Sequence, residues 1–200
     1  MQRPTTEHQQ AAKRIIRYVV GTLDHGLHYP RCPWAAHFVG YSDNDHAGDT
    51  NTSKSTSGIL FFLGKCLVSW QSVKQSVVAM SSCEAEYIAA STACTQAVWL
   101  ARLLGDLLGR DTRVVQLRVD SKSALALAKN PVFHERSKHI RLRYHFIRSC
   151  LDEGSIEASY INTTDQLADL LTKPLGRIKF LGLCSRIGMV QLSHKTTHKT

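Results

Sequence analysis

Two β-rich runs set two residues apart, in SGILFFLGKCLVSW (residues 57–70), commit this chain to an antiparallel hairpin. Gly64-Lys65 separates them, and a glycine first in a two-residue loop suits a type II′ turn, whose leading residue needs a positive φ. Just upstream, HFVGYSD (37–43) alternates in the manner of a strand and ends on Asp43. Three strands therefore come in succession before any long helix. Ser81-Ser82-Cys83-Glu84 then has the S-x-x-E spacing of a capping box. It opens a helix expected to run to Gly109, with Ile88, Thr92, Thr95, Trp99, Leu103 and Leu107 on one stripe.

Beyond that helix the period changes again. RVVQLRVD (113–120) sets Val115, Leu117 and Val119 against polar neighbours, a strand ending at Asp120. Ser121 is placed to cap the helix KSALALAK, and HERSKHIRLRYHFIRSCLDEG (134–154) reads as a basic helix closed by Gly154. SIEASYI is a last strand, and Thr163-Thr164-Asp165-Gln166 offers a second capping box opening a helix over QLADLLTK. Hairpins join the first three strands and helical crossovers bring in the others, which predicts an α/β domain with a mixed sheet and flanking helices. The expected boundaries are a leading helix (5–20) and link over 1–35, the domain over 36–175, and a C-terminal helix with a flexible basic tail over 176–200.

Bulk properties narrow the function. Two hundred residues suit one packed domain with appendages. A net charge of +9 favours polyanionic partners, nucleic acid first. Six cysteines without a C-x-x-C pair remove the usual zinc-knuckle and redox spacings and predict free thiols in a reducing compartment, with Cys83 and Cys94 as small buried side chains. No apolar run reaches the ~18 residues of a membrane span, and the opening MQRPTTEHQQ lacks the apolar core of a secretory signal. Trp70 and Trp99 are expected in the core rather than as stacking platforms.

The carboxylates carry the chemistry. Asp43 and Asp120 both end strands, Glu86 lies near the start of the long helix, and Asp169 lies on the last predicted helix. Such groups meet only in three dimensions, and divalent cations relieve their repulsion, with all-oxygen ligands selecting Mg²⁺ or Mn²⁺ over zinc. Two ions about 4 Å apart suit phosphodiester hydrolysis. Glu84 and Glu86 cannot share a helix face, and Glu84 is taken by the cap, which leaves Glu86 for the sheet end. Asp45 is placed less well than Asp43, and Asp165 stays in competition with Asp169, four residues away on the same predicted face.

Five blocks in order, YSDNDHAGD, STSGILFFLGKCLVSWQSVKQ, SSCEAEYIAAS, VDSKSALALAKNPVFHERSKHIRLRYHFIR and DQLADLLTKPL, resemble the ribonuclease H domain of copia-type LTR retrotransposon Pol polyproteins over about residues 36–190. The opening KRIIRYVVGTLDHGLHY resembles the end of the reverse transcriptase region that precedes it, without any polymerase catalytic block. The resemblance implies a ribonuclease H-like fold with a five-stranded mixed sheet. It also implies an acidic tetrad of Asp43, Glu86, Asp120 and Asp169 holding two Mg²⁺ ions, with Mn²⁺ able to substitute and no small-molecule cofactor. The implied reaction is hydrolysis of the RNA strand of RNA–DNA hybrids, leaving a 5′-phosphate and a 3′-hydroxyl. Asp45 and Asp49 are left to shape the turn around Gly48. Two departures stand out: His46 occupies a position where the family often has Trp, and the loop Asn162-Thr163-Thr164 lacks the mobile histidine of cellular and retroviral relatives.

A hybrid must be held by its phosphates and read through ribose 2′-hydroxyls. Arg141 and Arg148, on one face of the basic helix, are the foremost candidates for phosphates; Lys74 and Lys122 are candidates near the cut, and Ser81 and Ser82 for the minor groove. The implied partners are the hybrid and the upstream reverse transcriptase region, with no membrane. The implied location is the cytoplasm, in a virus-like particle, or the nucleus, without secretion. The alternative is a catalytically inactive nucleic-acid-binding module from a decayed element.

Overall fold

The computed structural model describes residues 3–31, 37–109, 114–129 and 141–192. Strands β2 (Phe38–Asn44), β3 (Thr56–Leu63), β4 (Cys66–Lys74), β5 (Val115–Val119) and β6 (Ile156–Tyr160) form one sheet in the order β4-β3-β2-β5-β6. β2, β3 and β4 pair antiparallel, while β5 and β6 run parallel to β2. The hairpin forms as read: Leu63 pairs with Cys66, and Gly64 takes a φ of 62°. β3 lies second in the sheet and buries Ser57 to Phe62 on both faces, which is why ILFF is continuously apolar rather than alternating.

Each face has its own core. On one, α2 (Ser82–Leu108), α3 (Lys122–Lys129) and α4 (Arg141–Asp152) cover Phe38, Ile59, Phe61, Val115, Leu117 and Val119, with Ile88, Ala93, Ala97, Ala128 and Ile147 from the helices. On the other, Tyr41, Leu60, Phe62 and Leu67 pack against Leu167 and Ala168, and against Leu183 and Ile187 of and just beyond α5 (Arg177–Arg186). Every such fully buried large side chain contributes about 1.5–3 kcal/mol.

Several local expectations change. α2 begins at the Ser81 cap and ends at Gly109 in the left-handed region, but only half of the box closes. Ser81 accepts from the Glu84 N–H, while Glu84 accepts from the Met80 N–H at 2.8 Å instead of that of Ser81. The buried stripe of α2 follows Ala85, Ile88, Ala89, Ala93, Ala97 and Leu100, not the stripe through Trp99, Leu103 and Leu107, which lie exposed. Small alanines let the long helix lie close on the sheet, and bulky residues fall on its outer side. Trp70 and Trp99 are each 55% exposed and leave the core. Cys94 is buried, with its thiol pushed by burial up to about 12, whereas Cys83 is half-buried. The expected helix over 166–173 is instead a pair of 3-10 turns, Thr163–Asp165 and Leu167–Leu171, capped by the side chains of Asn162 and Gln166 rather than by a Thr163–Gln166 box.

The flanks also meet. After α1 (Thr6–Val20), the link makes a short strand β1 (His25–Leu27), which pairs antiparallel with β7 (Met189–Gln191) beyond α5. Neither short strand shows in the sequence, because three residues are too few to display a period. Leu27 and Met189 pack against the second core. The tail 194–200 and residues 134–140 of the basic helix lie outside the described residues.

One glycine sets how closely the second layer approaches. Gly58 pairs with Asp43, and a Cβ there would lie 2.7 Å from the Thr172 methyl, 2.9 Å from the Ala168 carbonyl and 3.0 Å from the Leu171 Cβ. We expect Gly58→Ala to destabilise by about 1–3 kcal/mol in urea unfolding, as overpacking does. Gly182→Ala, in α5 with open space around its Cβ, is expected to gain about 0.5–1 kcal/mol in the same measurement.

Candidate active site

The parallel register places Ser42 beside Val119, so the next residues, Asp43 and Asp120, emerge side by side at the carboxyl ends of β2 and β5. In open α/β sheets, this is the edge where ligands bind. The early turns of α2 deliver Glu86 to the same place, and Asp43, Glu86 and Asp120 offer oxygens within 4.8 Å of one another. Two like charges at that separation repel by about 3 kcal/mol at an effective dielectric of 20. Glu86 Oε2 and Asp120 Oδ1 are buried with no hydrogen-bond partner among the described residues. Buried carboxylate oxygens in an all-oxygen cluster, left without protein donors, fit a hard divalent cation.

The fourth acid arrives from the opposite layer. Asp43 lies two residues beyond Tyr41 and so faces the second core, where the 3-10 turn Leu167–Leu171 brings Asp169. Asp169 is fully buried, and Lys173 Nζ joins it to Asp43, at 2.6 Å and 2.9 Å respectively. Lys179 Nζ holds the other Asp169 oxygen at 2.5 Å, and the Thr172 hydroxyl donates to Asp43 Oδ2. Asp165, the competing acid, is exposed and pairs with Arg186 instead. Asp165 and Asp169 fall in two separate 3-10 turns with the extended Gln166 between them, so the two acids no longer share a face. The lysines and Thr172 escaped the sequence reading, although the four-residue spacing of Asp169 and Lys173 in LADLLTK was the available signal.

The charge pattern shows in the titration of the acids. Burial pushes the Glu86 carboxyl up to about 8, and Asp120 and Asp43 push the same way. Burial also raises Asp43, to about 6, against the pull of Thr172 and Lys173. For Lys173, burial favours the neutral form, but its pairing with Asp169 and Asp43 outweighs that and raises its pKa.

Of the other candidates, Asp45 does build the turn: it accepts from the N–H groups of Thr56 and Gly48. Asp49 accepts from Asn51 and Thr52 and pairs with Lys74, which with the neighbouring donors holds its carboxyl far below the usual range. His46 and Ala47 between them adopt positive φ, and His46 is exposed. Lys122 lies 4.9 Å from the centroid of the Tyr160 ring, a cation–π contact one residue past Ser121, which caps α3 through the Ala124 N–H. Ser81 is spent as a cap, Ser82 is exposed in the first turn of α2, and Arg148 pairs with Asp152 at 3.5 Å. The Arg141 side chain lies outside the described residues.

A sheet of this order and mixed direction, helices on both faces and acids at its carboxyl edge define the ribonuclease H-like fold. Solved structures agree. An N-terminal RNase H domain from Mycobacterium tuberculosis, studied as a fusion with maltose binding protein, superposes with a TM-score of 0.52 over 76% of this chain and 98% of its own, at 13% identity. LC11-RNase H1 in complex with an RNA/DNA hybrid superposes with a TM-score of 0.50 over 67% of this chain and 92% of its own, at 17% identity. No protein-family model matches the chain. The retrovirus-related Pol polyprotein from transposon RE1 of Arabidopsis thaliana is 42% identical over 192 residues, 96% of this chain. Over 96% of its length the chain is thus a homologue of a retrotransposon Pol polyprotein, it has the ribonuclease H-like fold, and it spans 13% of the length of that relative.

The raised carboxyl groups make stability depend on pH in a stated direction. Asp43 and Glu86 bind protons more tightly folded than unfolded, so their contribution is greatest in acid and is lost as pH rises through about 6 and about 8. In chelator, the melting temperature is expected to fall between pH 5 and 8.5, and Glu86→Gln to remove the later part of that fall. Added Mn²⁺ should raise the melting temperature more at pH 8.5 than at pH 5, because ligands must first deprotonate.

Proposed function

We propose that the chain is a metal-dependent endonuclease that hydrolyses the RNA strand of RNA–DNA hybrids during retrotransposon reverse transcription. One observation carries this reading: Asp43, Glu86 and Asp120, from three separate elements, meet within 4.8 Å at the ligand-binding edge of a ribonuclease H-like sheet. Asp43, Glu86 and Asp120 would hold a divalent ion, Mg²⁺ or Mn²⁺ by the hardness of the donors, with Asp169 completing the acidic tetrad. When bound, such ions supply an activated water and neutralise the charge that develops on the scissile phosphate.

The protein's own groups fix the geometry. Thr172 and Lys173 hold the two oxygens of Asp43, so its carboxylate keeps a set orientation beside Glu86 and Asp120. Lys122, steadied on Tyr160 next to Asp120, is placed to meet a phosphate near the cut. Lys74, Ser82, Arg141 and Arg148 are the further residues we propose to contact the hybrid, Lys74 at the end of β4, Ser82 in the first turn of α2 and the two arginines in the sequence of α4. The second partner is the upstream polymerase region of a longer polyprotein: every residue of α1 is exposed, including Ile15, Ile16, Val19 and Val20, an apolar face suited to a neighbouring domain.

The test is incubation of the purified chain with labelled RNA–DNA hybrid, RNA duplex and DNA duplex, with Mg²⁺ or with chelator. Cutting confined to the hybrid, lost in chelator and lost in Asp43→Asn while hybrid binding persists, is the expected result. Binding without cutting in either Mg²⁺ or Mn²⁺ would instead favour the inactive nucleic-acid-binding module. For the basic helix, Arg141→Ala with Arg148→Ala should weaken hybrid binding and flatten the slope of log K against log salt by roughly two, one phosphate contact each. An unchanged slope removes that face from the interface.

A further inference from the structure

The two halves of the acidic site are compensated unequally. Both oxygens of Asp169 are taken, Oδ1 by Lys173 and Oδ2 by Lys179, whereas Glu86 Oε2 and Asp120 Oδ1 are buried without a partner among the described residues. Asp43 stands between the halves. Its Oδ1 accepts from Lys173 and its Oδ2 from Thr172, yet it also belongs to the open cluster with Glu86 and Asp120. Once all four carboxyl groups are ionised, as metal binding requires, two ammonium groups leave two negative charges, the charge that one divalent ion brings.

We propose that the Lys173 ammonium stands in for one divalent cation between Asp43 and Asp169. The chain then takes one ion readily at Asp43, Glu86 and Asp120, and a second between Asp43 and Asp169 only when Lys173 withdraws. The side chain is built to do both. It starts four residues beyond Asp169, which lets it reach across a turn, and about a third of it remains exposed, so it can swing outward without opening either core. Lys179 keeps Asp169 paired when it does, which spares the cost of a buried carboxylate left alone. Lys173 acts through the acids and is a positioning residue. The inference rests on the metal-dependent reading of the same site, deepened to say how many ions enter and what limits the second.

The test counts ions rather than turnover. Mn²⁺ is titrated into the full 200-residue chain, and free Mn²⁺ is followed by electron paramagnetic resonance. Wild type is expected to take one ion. Lys173→Met, which keeps the length and loses the charge, should take a second, or tighten it by about tenfold or more. Lys173→Arg and Lys179→Met should stay at one, since each leaves a cation on the Asp43–Asp169 gap. Melting curves in chelator establish that each variant is folded. Equal counts and affinities for wild type and Lys173→Met overturn the proposal, as does a second ion gained equally by Lys179→Met. Absence of Mn²⁺ binding in both wild type and Lys173→Met overturns it together with the metal-dependent reading. If Lys173→Met gains its ion but no variant cuts hybrid, the nuclease reading fails and the role of Lys173 stands.

Discussion

Repulsion among acids at the carboxyl edge of the sheet is the constraint that orders the surrounding structure. Asp43, Glu86 and Asp120 sit closer than bare carboxylates tolerate, and Asp169 is fully buried behind them. The protein spends charge on one side of Asp43 and leaves the other side open. Lys173, Lys179 and Thr172 close the inner half, while one oxygen each of Glu86 and Asp120 has no partner among the described residues on the outer half. A fold seeking only stability would replace such a cluster with apolar side chains, as buried ion pairs rarely improve on them. Its presence argues for a function served by negative charge, and its partial neutralisation explains how the chain carries it.

The approach of the second layer depends on what is missing from the sheet. Gly58 of β3 pairs with Asp43 of β2, and its lack of a side chain lets Ala168, Leu171 and Thr172 settle directly onto β3. Without that proximity, Thr172 and Lys173 would not reach Asp43. Gln166 secures the segment from the other end: fully buried, it donates to the Ser42 carbonyl at 2.9 Å and accepts from the Ala168 N–H. The residue before the first acid is thereby tied to the segment that carries the fourth.

Much of this was legible in the sequence. The mixed sheet followed from the hairpin at Gly64-Lys65 and from crossover helices, and Glu86 was separated from Glu84 by helical angle together with the Ser81 cap. Asp43 was preferred to Asp45 because it ends the apolar strand, and Asp45 does turn inward on its own loop. The failures have physical causes. Alanine carries little weight in an apolar stripe, so the face of α2 that packs closest was passed over in favour of Trp99 and Leu103. A 3-10 turn and an α-helix share capping residues, so QLADLLTK was assigned the wrong period. Pairing between β1 and β7 joins residues more than 160 positions apart, and no local pattern announces it.

That last pairing has a mechanical consequence. His25 lies opposite Gln191, and the Leu192 N–H donates to the Asp24 carbonyl at 2.7 Å, so the chain enters and leaves the sheet domain through the same end of a two-stranded ribbon. A pull transmitted from flanking segments would peel this ribbon one rung at a time, from His25 and Gln191 inward. The small sheet thus acts as a fuse, yielding before strain reaches β2 and the acid at its tip.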